Sequence, residues 1–161
     1  MARAARAAAE APRDRELLLV NTHTGESLDA RYFTGGAYNQ DQLGELDWLL
    51  RDYRNSAVLP IDTRLFDLLH DLALAAGREP RYEIISGYRS PATNAMLVAT
   101  TNGVSSHSLH MEGRAVDVRL VGLPVIALRD LALARQAGGV GYYPVSEFVH
   151  LDSGPVRSWS G

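Results

Sequence analysis

The chain contains no cysteine. That single absence excludes disulfides, thiolate zinc sites and cysteine nucleophiles. It has no apolar run near the roughly 20 residues that a membrane-spanning helix needs. It has no basic stripe either: net charge is −3, the isoelectric point is near 5.9 and the cations are scattered, so nucleic acid is not an expected partner. No HExxH helix, GxSxG elbow or phosphate-binding loop is present, which removes three common catalytic frameworks. Internal repeats and linkers are absent too. What remains is a globular composition over 161 residues, enough for one domain with one sizeable core. The Ala/Arg-rich opening "MARAARAAAEAPRDR" lacks the apolar segment of a signal peptide. It reads as a solvated or trimmed tail over residues 1–14, with the folded domain spanning 15–161.

The apolar pattern predicts the elements in order. "ELLLVNTHTGESLDARYF" carries two short apolar runs about Thr24-Gly25, a β-hairpin with His23 as a solvated turn residue. Leu43, Leu46, Leu50 and Tyr53 recur at helical spacing. A second helix opens with Asp62 as N-cap and stops at Gly77, carrying His70 at its surface or boundary. "RYEIIS" reads as a strand, and Ser90-Pro91 opens a short helix to about Ala99. A polar loop follows, then a strand over Gly113 to Leu120, a helix through "LPVIALRDLALARQA", and two closing strands in "GVGYYP" and "EFVHLDSG". The expected class is α+β with a mainly antiparallel sheet and helices packed on it.

One stretch carries chemistry. In "SLHMEGRAVDVRL", alternation places Ala115, Asp117 and Arg119 on one face of a strand, with His110 in the loop feeding it. In the last expected strand Phe148, His150 and Asp152 share a face. A buried carboxylate needs a cationic partner, and two readings are open. Asp117 pairs with Arg89 or Arg114 while the histidines fill core edges. Alternatively His110, Asp117 and His150 form a three-ligand set whose open fourth position suits catalytic zinc, which lowers the pKa of a bound water to about 7.

The quoted residues also match a family. "SLHMEGRAVD" resembles the S-x-H-x-x-G-x-A-x-D signature of the zinc D-alanyl-D-alanine carboxypeptidases and murein endopeptidases, the LAS metallopeptidases with a hedgehog-like fold. "SGYRSPATN" resembles the segment that precedes that signature. "GGVGYYPVSEFVHLDSGPVRSW" is similar to the C-terminal segment of the exported murein endopeptidases of MepK type, as are the hairpin "NTHTGESLDARYF" and the helix ending "RDYR". The resemblance implies a hedgehog or D,D-peptidase-like fold, a zinc ion on His110, Asp117 and His150, and Arg89 holding substrate oxygens. It gives Ser108 a supporting role and lets Tyr142 and Tyr143 line the groove. His107 has no counterpart in the signature and reads as a loop histidine.

For the acid/base, the resemblance implies Glu147, three residues before the last ligand. Regular strand parity would turn residue 147 away from residue 150. Asp152 has the right parity and is the rival, either as base or as a group orienting a ligand imidazole. The implied function is a zinc-dependent murein endopeptidase acting on peptidoglycan peptide cross-links in the periplasm or cell envelope, a monomer by default. A zinc D,D-carboxypeptidase and a non-catalytic peptidoglycan-binding module are the alternatives.

Overall fold

A computed structural model describes residues 13–161. The expected tail therefore lies almost wholly outside the described residues. The elements are β1 (Arg15–Asn21), β2 (Ser27–Thr34), β3 (Ala37–Tyr38), α1 (Gln40–Leu49), α2 (Thr63–Ala75), β4 (Arg81–Ser86), α3 (Pro91–Thr100), a 3-10 turn (Leu109–Glu112), β5 (Ala115–Leu120), α4 (Val125–Arg135), β6 (Gly139–Tyr143), β7 (Phe148–Asp152) and β8 (Arg157–Ser160). The strands form one sheet in the order β3-β2-β1-β4-β5-β7-β6-β8. Five of its seven pairings are antiparallel; β1–β4 and β6–β8 are parallel. The class is α+β, consistent with a D,D-peptidase-like fold.

Alternation divides the central strands between two faces. Val116, Val118 and Leu120 of β5 and Val149 and Leu151 of β7 join Leu65, Leu69 and Leu72 of α2 and Leu128 and Ala132 of α4 in one buried core. The other face of the same strands is left to Ala115, Asp117, His150 and Asp152. The core is thus the platform, and the polar cluster sits on its reverse side.

Local chemistry sets the helix boundaries. Asp62 caps α2 through the Arg64 amide, and Ser90 caps α3 through the Thr93 amide with Pro91 at the first helical position. The helix expected to run through Tyr53 ends at Leu49. Just beyond it the Asp52 carboxylate accepts from the Arg54 amide and from both the amide and hydroxyl of Ser90. A side chain that offers the backbone another acceptor competes with helix continuation.

Two histidines depart from expectation. His70 is buried, with Nδ1 3.1 Å from the Glu16 carbonyl. His23 stays exposed but is not merely solvated: Nε2 lies 3.0 Å from the Ile85 carbonyl and its ring stacks on Tyr53 at 4.0 Å. Strand β8 was not expected from the pattern, because "RSWS" lacks an apolar run.

Asp62 also accepts from the Ser153 hydroxyl at 2.7 Å, fastening the start of α2 to the end of β7. Burial raises its pKa, but the bonds from Arg64 and Ser153 outweigh that and hold it down, at about 2. Asp62→Ala is predicted to lower stability by about 1–2 kcal/mol at neutral pH, read from the urea midpoint at unchanged slope. A depressed carboxylate stabilises above its unfolded pKa near 3.9 and loses that contribution as pH falls. The two proteins should therefore converge between about pH 4 and pH 2; an equal gap at pH 2 and pH 7 would contradict this account.

Candidate metal centre

Asp117 on β5 and His150 on β7 are direct cross-strand partners in the antiparallel ladder. Residues so paired have their side chains on the same face, a few ångströms apart. The third member arrives from the 3-10 turn. Ser108 caps that turn by accepting from the His110 amide at 3.3 Å. Gly113 ends it in the left-handed region at φ 66°, where a Cβ would meet the Pro60 carbonyl oxygen at 2.3 Å. The serine, histidine and glycine of the quoted motif are thus one structural device that delivers an imidazole to the strand carboxylate.

His110, Asp117 and His150 are all buried, and one donor atom from each lies within 4.8 Å of the others. His150 Nδ1 is 2.9 Å from Asp117 Oδ1, and His110 Nε2 is 3.3 Å from that same oxygen. The two ring nitrogens are 3.2 Å apart. Tautomers follow from the outer partners. His110 Nδ1 is 2.7 Å from the Gly87 carbonyl oxygen, which can only accept, so that nitrogen carries the proton. His150 Nε2 is 3.0 Å from Asp152 Oδ2 and donates to it. In the neutral rings, Nε2 of His110 and Nδ1 of His150 then present lone pairs toward each other and toward a carboxylate.

Three acceptors facing one point repel unless a cation lies among them. A tetrahedral zinc ion with bonds of 2.0–2.1 Å holds adjacent donors roughly 3.3 Å apart, close to the three separations found here. The chemistry of the donor set fits a divalent metal. Without one, a proton takes its place. Burial disfavours a charged His150, yet the bonds to Asp117 and Asp152 prevail and raise its pKa to about 9. Burial likewise opposes the Asp117 charge, and the two histidines overcome it, holding the carboxyl well below its ordinary range.

Asp152 lies behind His150, on the ring nitrogen away from the cluster. It is fully buried; one oxygen accepts from the Gly139 and Gly154 amides, and Arg157 donates to both. Burial would raise its pKa, but His150, Arg157 and the amides more than reverse that. Glu147 occupies the exposed turn between β6 and β7. Its backbone is left-handed at φ 54°, so strand parity does not govern where its side chain points. Arg119 bonds its carbonyl, while its carboxylate makes no hydrogen bond or ion pair among the described residues.

Arg114 bonds Glu112 and Ser153 and not Asp117. Arg89 forms no ion pair with Asp117, but its half-buried guanidinium feels that carboxylate: burial lowers its pKa and Asp117 partly restores it. One of its terminal nitrogens donates to Asn94 at 3.3 Å, and its buried Nε has no partner. Alternation separates the two tyrosines. Tyr142 lies under Arg129 of α4, whereas Tyr143 stacks on Phe148 and accepts from Trp159 Nε1 at 2.9 Å. His107 is exposed, beside Ser106 in the loop.

Trp159 escaped the sequence reading. Its ring centroid lies 5.1 Å from that of His150, and Arg157 covers it at 5.0 Å. The signal was Gly141: a Cβ there would meet the indole at 2.6 Å, so the glycine leaves the space the ring fills.

His110→Ala is predicted to remove zinc binding, and Asp152→Asn to weaken it by about 10- to 100-fold, both read by competition against a chromophoric chelator. Unchanged affinity in Asp152→Asn would mean that the outer carboxylate does not orient the imidazole.

The sequence model of the family described as peptidoglycan L,D-endopeptidase MepK matches residues 8–159. The peptidoglycan L,D-endopeptidase MepK of Escherichia coli (strain K12) is 46% identical over 148 residues, which are 92% of this chain and 81% of that protein. The probable peptidoglycan L,D-endopeptidase MepK of Haemophilus influenzae is 40% identical over 151 residues, 93% of this chain and 81% of that protein. No solved structure matches at a significant level. With relatives and family model agreeing along nearly its whole length, the chain belongs to the peptidoglycan L,D-endopeptidase MepK family.

Proposed function

We propose that this chain is a zinc-dependent murein endopeptidase that hydrolyses peptide cross-links of peptidoglycan, at the L,D bond that its relatives' name records. The observation that carries the reading is the convergence of two imidazole lone pairs and one carboxylate on a single point, in a chain of this family. His110 Nε2, Asp117 Oδ1 and His150 Nδ1 are the ligands. A zinc ion held there supplies, when bound, a Lewis acid for a water molecule and for the scissile carbonyl.

The remaining chemistry falls to the chain's own side chains. Asp152 and the Gly87 carbonyl keep the two imidazoles in the tautomers that free the inner nitrogens. Asp152 is a positioning residue in this scheme: its oxygens are occupied and it is sealed from solvent. Glu147 is the acid/base. Its exposed carboxylate is unengaged, and it takes a proton from the attacking water and returns it to the departing amide nitrogen. Arg89 binds substrate oxygen through its fixed fork of donors. Ser108 holds the His110 loop, and Tyr143 with Trp159 walls the site beside His150.

All three ligands come from one chain, so a monomer completes the site. Its polymer substrate places the activity in the periplasm or cell envelope. No described helix is long and apolar enough to cross a membrane.

Purified muropeptide dimers incubated with the zinc-loaded chain are predicted to fall to monomers by mass spectrometry. Loss of terminal alanine alone would point instead to a carboxypeptidase, and binding to sacculi without release of fragments to a binding module. Glu147→Gln should lower kcat by at least about 100-fold while zinc content stays at the wild-type level. Full activity in that variant would remove Glu147 from its role.

A further inference from the structure

Strand β8 reaches the metal cluster across its neighbour. In the sheet order β6 lies between β7 and β8, and β8 runs parallel to β6 with Arg157 beside Gly139 and Trp159 beside Gly141. Alternation puts both β8 side chains on one face, the face that carries His150 and Asp152. Both of their β6 neighbours are glycines. A Cβ at 139 would meet Arg157 Nη1 at 2.5 Å, and one at 141 would meet the Trp159 indole at 2.6 Å. The two glycines therefore clear a lane over β6, through which Arg157 bonds Asp152 and Trp159 lies against His150.

The hydrogen bonds on Asp152 divide unequally between its oxygens. Oδ1 accepts from the Gly139 amide at 3.0 Å, the Gly154 amide at 2.9 Å and Arg157 Nη1 at 3.0 Å. Oδ2 is the oxygen that lies 3.0 Å from His150 Nε2. Its other donor among the described residues is Arg157 Nη2, at 2.7 Å. The amides pin Oδ1 alone, whereas the planar guanidinium holds both oxygens and so sets the plane of the carboxylate. The guanidinium is fixed in turn: Nη1 donates to the Pro155 carbonyl at 3.1 Å, and the group lies over the Trp159 ring at 5.0 Å.

We propose that Arg157 is a positioning residue for His150: by fixing the plane of Asp152 it aims the inner imidazole nitrogen at the metal, and so sets zinc affinity. The inference rests on the metal-centre reading and gives the outer carboxylate a support of its own, carried by β8. Arg157 bonds none of the three ligands and takes no part in the proton transfers. A lysine in its place keeps the charge but lacks the fork, so the two contributions separate by experiment.

The test uses two readouts on the full chain: zinc affinity by competition against a chromophoric chelator, and the proton NMR signal of His150 Nε2–H. Arg157→Gln is expected to weaken zinc binding about tenfold and to speed exchange of the His150 proton with water. Arg157→Lys should keep part of the affinity and show intermediate exchange. In an Asp152→Asn background neither substitution should weaken zinc further, because the arginine acts through that carboxylate. A general loss of packing would instead weaken zinc by the same factor in both backgrounds, and that result would overturn the inference. Arg157→Lys carries the test if the glutamine variant does not fold: wild-type affinity with an unmoved His150 signal would overturn the role. Tight zinc binding with no dependence on Arg157 sinks the positioning role alone. A wild-type chain that takes up no zinc sinks the metal-centre reading, and the His150 proton then decides by itself whether Arg157 orients the imidazole.

Discussion

Asp117 and His150 face each other across the β5–β7 ladder, and the rest of the site is built around that pairing. A carboxylate only 7% exposed at the centre of a sheet is costly unless something positive meets it. Here the nearest groups are two imidazoles whose outer nitrogens are already committed, so the inner ones approach as acceptors. The arrangement is stable with a proton or a metal between the three atoms and repulsive without either. Convergence of the three donors and strand register are therefore one constraint. A slip of one residue in β7 would turn His150 into the hydrophobic core and bring Val149 or Leu151 to the cluster.

Around that point lies a ring of groups whose function is placement. Asp152 holds His150 from behind and is itself held by two amides and Arg157; Gly87 offers its carbonyl to His110. The glycine at 141 gives up a side chain so that Trp159 can lie against His150. On the opposite face the aliphatic residues of the same strands bury against α2 and α4, which makes the sheet rigid where the cluster needs it. Away from the cluster, Asp52 ties the turn after α1 to the start of α3.

Much of this was legible from residue order. The hairpin at Thr24-Gly25, the caps at Asp62 and Ser90 and the strand around Asp117 each have a local cause written in adjacent residues, and each appears where periodicity and capping place it. The two parallel pairings and β8 were not legible, since they depend on contacts between distant segments and "RSWS" has no apolar pattern of its own. The burial of His70 was hidden for the same reason: its partner is the carbonyl of Glu16, 54 residues away. At the site, parity brought Asp117, His150 and Asp152 to one face, but parity says nothing about a turn. The left-handed backbone at Glu147 and the stack of His23, Tyr53 and Arg54 emerge only with three-dimensional geometry.

The account stands on the claim that one metal ion is shared by His110, Asp117 and His150. X-ray absorption at the zinc edge of the loaded chain addresses it directly. The predicted spectrum shows one zinc per chain, nitrogen and oxygen ligands at about 2.0–2.1 Å, and the outer-shell scattering of two imidazole rings. A spectrum lacking imidazole scattering, or one unchanged by His150→Ala, would contradict it.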